Sequence, residues 1–176
     1  MGLPVFVQKS AEVAVSSAIS GSVVVPGVGA GNLLVAVLIR AITDNRTYTF
    51  SDNKGNTWAN AVVFTPLNAV QISYAKNVAA GDTTVTCTAN IATTWYFMII
   101  EVSGCDITTP LDQTSQLVEL SNTNNHVSSA TPTVIDTAAD VIVFTSDVLN
   151  APGTLVSAGS GYTDLLMSLT ARGMWQ

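Results

Sequence analysis

The only histidine of this chain, His126, has Ser128 and Asp136 close to it in sequence, the residue types from which a nucleophile, a general base and an orienting carboxylate are assembled. The sharp turn that exposes such a serine, Gly-x-Ser-x-Gly, occurs nowhere, so His126 reads as an exposed loop histidine and a contact residue. Paired carboxylates would support glycoside hydrolysis, and the only glutamates available are Glu12, Glu101 and Glu119. Glu101 ends the apolar run from Trp95 to Ile100 and is expected to be a hydrogen-bonded polar residue at a strand end. Asp52, Asn53, Asn56 and Asp82 offer the oxygen atoms that Ca²⁺ takes. The run Asp52-Asn53-Lys54-Gly55 is also what a tight turn demands, because Asn and Gly tolerate positive φ, and the turn reading is preferred. No catalytic residue, cofactor site or metal site is assigned.

Three tryptophans, Trp58, Trp95 and Trp175, with Tyr48, Tyr74 and Tyr162, supply the flat rings that stack on sugars or fill protein interfaces. Trp95 belongs to the core by its apolar neighbours. Trp58, just after the turn at Asp52, is the best candidate for an exposed aromatic, and Trp58, His126 and Trp175 are the candidate glycan or interface contacts. Cys87 and Cys105 are the only cysteines. Two thiols in a chain this long are not a disulfide framework, and buried free cysteine is the expected state.

These residues must be held by strands. Turn signals recur at Pro26-Gly27, Gly29-Ala30-Gly31, Asp52 to Gly55, Ala80-Gly81-Asp82, residues 122–125, Pro152-Gly153 and Gly159-Ser160-Gly161, with β-branched and aromatic runs between them. Strands are predicted at residues 5–10, 13–18, 22–25, 33–41, 48–51, 57–64, 70–77, 83–90, 95–103, 113–120, 128–134, 140–145 and 165–171, with no helix. Residues 33–39 and 97–102 are apolar on both sides, which marks central strands covered by an opposing sheet and by loops or a neighbouring subunit. The polar stretch 121–133 reads as a long loop and an exposed contact element. The fold class is therefore all-β, an antiparallel β-sandwich of jelly-roll or Greek-key type, in one domain spanning residues 1–176.

Charged residues make up 10% of the 176 and hydrophobic ones 48%, against the roughly 25% charged usual for soluble domains. Such a surface repels copies of itself weakly and suits an assembly. The net charge of −6 and the absence of a basic cluster argue against nucleic-acid binding. The longest apolar runs fall far short of the roughly 20 residues that span a bilayer as a helix, and no membrane partner is expected. Residues 1–7 carry neither the basic segment nor the apolar stretch of a secretory leader. An uncharged, polar surface without a leader fits a particle that assembles in the cytoplasm and leaves by lysis.

Gly31-Asn32-Leu33-Leu34-Val35, Asp52 through Trp58, Tyr74-Ala75-Lys76-Asn77-Val78-Ala79-Ala80-Gly81 and Glu101-Val102-Ser103-Gly104 together resemble β-sandwich modules of phage virion proteins, of head-decoration or fibre type, which are also seen in bacterial surface proteins. The resemblance covers about residues 30–112. It implies a non-enzymatic structural protein located in the virion, a homo-oligomer in contact with other virion proteins such as the major capsid or tail protein. Modules of this kind carry one or two further strands beyond the segment corresponding to 161–172, so the resemblance implies either that a neighbouring chain completes the sheet by strand addition or that this is a shorter version of the module. A carbohydrate-binding or adhesion module that recognises host surface glycans is the alternative.

Overall fold

A computed structural model describes residues 3–40, 46–64, 69–111, 114, 145–147, 166–168 and 173–175, the last three segments as backbone. Ten strands run β1 (Val5–Lys9), β2 (Val13–Val28), β3 (Leu33–Arg40), β4 (Tyr48–Asp52), β5 (Trp58–Phe64), β6 (Ala69–Ala75), β7 (Gly81–Ser103), β8 (Thr145–Asp147), β9 (Leu166–Ser168) and β10 (Gly173–Trp175). All pairings are antiparallel, so the fold class is all-β and antiparallel, as the spacing of turns and apolar runs predicts.

The organising element is β7, a strand of 23 residues. The sequence pattern predicts two strands there, 83–90 and 95–103, and two more at 13–18 and 22–25; each pair is instead one continuous strand that bends. Asn90, Ile91 and Ala92 are exposed in the middle of β7, and β2 beside them slips register between Val15 and Ser20, with Ser17 at φ 50°. The two strands therefore turn together, and an irregularity of this kind bends a ladder without ending it.

Along one side of β7 the chain from Val5 to Val28 pairs in sequence, β1 with residues 100–103 and β2 with residues 81–97. On the other side β3 pairs with residues 96–102 and β4 with residues 85–89. The order continues through β6 to β5. Inward side chains from both halves meet in one core: Val25, Tyr48, Phe50, Val85, Cys87 and Ala89 on one side, Leu34, Ala36, Leu38, Trp95, Phe97 and Ile99 on the other. Phe50 meets Phe97 edge-on at 5.8 Å, and Tyr48 meets Trp95 at 5.5 Å.

A second core lies on the opposite face of β3, β6 and the second half of β7. Val35, Val37, Ile39, Met98, Ile100 and Val102 are buried there, with Val70, Ile72 and Tyr74 against them. Part of that face lies beside β8, which belongs to a separate three-stranded sheet ordered β8-β10-β9. Leu34 to Ile39 and Phe97 to Val102 are buried on both faces, as expected of central strands. Of the strand predicted at 140–145 only Thr145 is described, where β8 begins, and β9 falls within the strand predicted at 165–171; β10, not predicted, pairs with both. Strands at 113–120 and 128–134 and the loop at 121–133 lie outside the described residues, as do residues 161–165.

Both cysteines are free. Cys87 points into the first core and Cys105 packs against the second, so the sheet itself separates them. Burial pushes both thiols above their ordinary range.

Two glycines hold the chain in the left-handed region, for different reasons. Gly104, at φ 78°, ends β7, and a Cβ there would lie 2.2 Å from the Leu3 carbonyl oxygen. Gly55, at φ 74°, sits in the β4–β5 turn with open space around it. Substituting Ala for Gly55 is expected to cost only the left-handed strain, about 1–2 kcal/mol, whereas Gly104→Ala adds a backbone collision and is expected to cost about 3 kcal/mol or more. Chemical denaturation of the two variants checks this; equal losses would refute the close approach of Leu3 to Gly104.

Candidate functional site

Glu101 continues the inward row Trp95, Phe97, Ile99 along β7 and is completely buried. The core ends here, and a carboxylate can be enclosed only when donors satisfy it. Its Oε1 accepts from the Gly29 backbone N–H at 2.9 Å and from the Asn32 side-chain amide at 2.6 Å. Its Oε2 accepts from the Gln8 side-chain amide at 2.6 Å, and that amide also donates to the Pro26 carbonyl at 2.7 Å. One carboxylate thereby ties β1, the end of β2 and the β2–β3 turn to β7. This is the hydrogen-bonded strand-end residue expected from the sequence, with neutral donors on both oxygens and no second carboxylate among its partners.

The acidic and amide side chains proposed as Ca²⁺ ligands are spent on turns. Asp52 accepts from the backbone N–H groups of Lys54 and Asn56 at 2.9 and 3.1 Å, from the Asn56 side chain at 3.1 Å and from the Trp58 indole N–H at 2.8 Å. Asn53 Oδ1 accepts from the Thr84 N–H at 2.9 Å, Asn56 Oδ1 from the Ala79 N–H at 3.1 Å and Asp82 Oδ1 from the Gly27 N–H at 2.8 Å. The preferred turn reading holds: Asp52 closes its own turn, and Asn53, Asn56 and Asp82 also tie their turns to distant segments.

Trp58 is half-buried, its ring tilted against Phe50 at 5.6 Å and its N–H committed to Asp52. It therefore closes one end of the first core more than it projects from the surface. Trp95 is fully buried and stacked on Phe97 at 5.5 Å, as predicted. His126, Ser128, Asp136, Glu119 and Tyr162 lie outside the described residues, and of Trp175 only the backbone, in β10, is described. Of the three candidate contacts Trp58, His126 and Trp175, only Trp58 has a described side chain.

Two features escape the sequence pattern. Gln71 and Ser73 are buried on the inner face of β6, where the Gln71 amide donates to the Tyr48 carbonyl at 3.1 Å and to Ser73 Oγ at 2.9 Å, and Ser73 Oγ donates to Asn60 Oδ1 at 2.8 Å. Alternation along β6 would place Val70, Ile72 and Tyr74 inward and these polar residues in water; both faces are covered, so alternation alone does not tell them apart. Beyond β7, Asp106 accepts from the Thr108 hydroxyl and from the N–H groups of Thr109 and Thr108, which lowers its carboxyl to about 2. Lys76 at the end of β6 donates to the Thr108 carbonyl and fastens that turn.

The second feature is the outer edge of β2. Among the described residues β2 pairs with β7 alone, and from Val13 to Val28 it carries no Lys, Arg, Asp or Glu. Its outward neighbours are hydroxyls: Ser20 lies across from Thr88, Ser22 from Thr86, and on the far side of β7 Thr49 and Ser51 complete the same rows. Ser22 and Thr86 share a hydrogen bond of 2.8 Å. Ile19 and Val24, each 53% exposed, and Val5, Phe6 and Val7 on β1 put apolar surface along the same edge. An open strand offers a row of unpaired backbone donors and acceptors, which charge, proline or bulges ordinarily blunt; β2 has Pro26 near one end and register slips on either side of Ser20 to Val25, and no charge.

No family model, curated protein or solved structure matches this chain.

Replacing Glu101 by Ala would leave the Gly29, Asn32 and Gln8 donors buried without an acceptor. The expected loss is about 3–5 kcal/mol in chemical denaturation. Glu101→Gln keeps the shape but must face one of the amide donors with an NH₂ group, and a loss of about 1–3 kcal/mol is expected. Wild-type stability in both variants would contradict the network.

Proposed function

We propose that this protein is a non-enzymatic structural component of a phage particle, a β-sandwich module of capsid-decoration or fibre type that acts through contacts with its own copies and with the major capsid or tail protein. The observation that carries this reading is the edge of β2, which among the described residues pairs with β7 alone and carries no charged residue, with Ile19 and Val24 exposed along it. A surface of that kind gains by being covered. Among the described residues, Glu101, Asp52, Asn53, Asn56 and Asp82 spend their oxygens on holding turns and strands, which fits a structural role. The low charge of the chain, 10% of residues, reduces repulsion between crowded neighbours.

Particles from cells that produce this chain, purified on a density gradient, test the proposal. The chain is expected to sediment with the particles, and purified chain is expected to bind particles assembled without it. A chain that stays wholly in the soluble fraction and fails to bind such particles would overturn it.

A further inference from the structure

The edge of β2 is regular only between two irregularities. From Ser20 to Val25 every residue faces its partner on β7 in unbroken register, while the ladder slips between Ala18 and Ser20 and again between Val25 and Val28. The stretch of edge that is regular and, among the described residues, unpaired is therefore short, about 20 Å at the rise of an antiparallel strand. Gly21 in its middle faces inward, where a Cβ would meet a Val15 methyl carbon at 2.4 Å, and Ser22 and Val24 face outward beside Thr86 and Thr84.

We infer that this edge is the site at which two copies of the chain pair, β2 against β2 in antiparallel register, joining their sheets into one. The inference rests on the reading of the chain as an assembling protein and names its partner. Electrostatics select a second copy. A chain of net charge −6 repels its own copy wherever acidic surface meets acidic surface, and this edge carries no charge of either sign. Apposing it to itself therefore sets uncharged side chains against uncharged side chains and supplies backbone partners to both strands.

Symmetry fixes the geometry further. In an antiparallel pair, residues directly opposite must point to the same face, so a two-fold axis relating identical strands passes through a residue and never between two. Within Ser20 to Val25 that residue is Ser22 or Val23, near the middle. Both choices put the two Ser22 side chains on one face, either directly opposite or diagonally adjacent, and an isologous contact of this type closes as a dimer. The hydroxyl rows of Ser20, Ser22, Thr86, Thr88, Thr49 and Ser51 then run on across the joint.

Charge exchange at Ser22 tests this. Light scattering of the full chain over a range of concentrations is expected to show a dimer. Ser22→Lys and Ser22→Glu each place like charges beside the axis, and each is expected to raise the dissociation constant by about tenfold or more. Mixing the two variants is expected to restore the dimer as a heterodimer. Val63→Lys, on the exposed surface of β5, is expected to leave the dimer intact, and circular dichroism verifies that every variant is folded. Independently of any variant, amide exchange from Ser20 to Val25 is expected to slow as wild-type concentration rises. A wild-type monomer at all concentrations, a dimer indifferent to both Ser22 charges, a mixture that fails to recover, or a dimer broken by Val63→Lys alone would each overturn the inference. Continued sedimentation of the Ser22 variants with particles would show that the structural role survives such a failure; loss of wild-type sedimentation would show that it does not.

Discussion

One bent strand carries the whole fold. Because β7 is 23 residues long, it can pair with β3 at one end, with β4 at the other, and with the chain from Val5 to Val28 along its entire opposite side. Its inward row, from Val85, Cys87 and Ala89 to Trp95, Phe97 and Ile99, thereby lines both sides of one core. Burying each large side chain of that row contributes roughly 1.5–3 kcal/mol, and the bend at Asn90 to Ala92 is what lets one strand collect that burial twice. The cost is local: Ser17 adopts φ 50° on β2 where it follows the bend, a conformation that only neighbours on both sides can hold.

Polar groups finish what apolar burial leaves open. At one end of the inward row Glu101 draws β1 and the β2–β3 turn onto β7. At the β4–β5 turn Asp52 gathers two backbone N–H groups and the Trp58 indole, fixing the ring that closes the core beside Phe50. Gln71 and Ser73 do the same on β6. These side chains are buried or half-buried and hydrogen-bonded, and among the described residues the edge of β2 offers an uncharged surface for contact.

Strand positions were legible where turns and apolar runs alternate. Residues 33–40, 48–52 and 58–64 fall within a residue of their predicted bounds, because Gly31-Asn32 and Asp52 to Gly55 leave the backbone little choice. The joining of 13–18 with 22–25, and of 83–90 with 95–103, was not legible. The gaps predicted at 19–21 and 91–94 are crossed by continuous strand, and only pairing between β2 and β7 shows that the chain bends there instead of ending a strand. Glu101 was readable as a strand-end carboxylate, but its partners lie 69 to 93 residues away, beyond any local pattern. The open edge left a readable sign, the uncharged run from Val13 to Val28, whose meaning depends on which side of β7 it occupies.

The central claim is that β7 unites both halves of the sheet into one cooperative unit. Native-state hydrogen exchange along β7 tests it most directly. Amides from Val85 to Ala89 and from Phe97 to Val102 are expected to exchange slowest in the molecule and with one common opening free energy, equal to that of global unfolding. Two distinct opening free energies, one for each half with the break at Asn90 to Ala92, would contradict it.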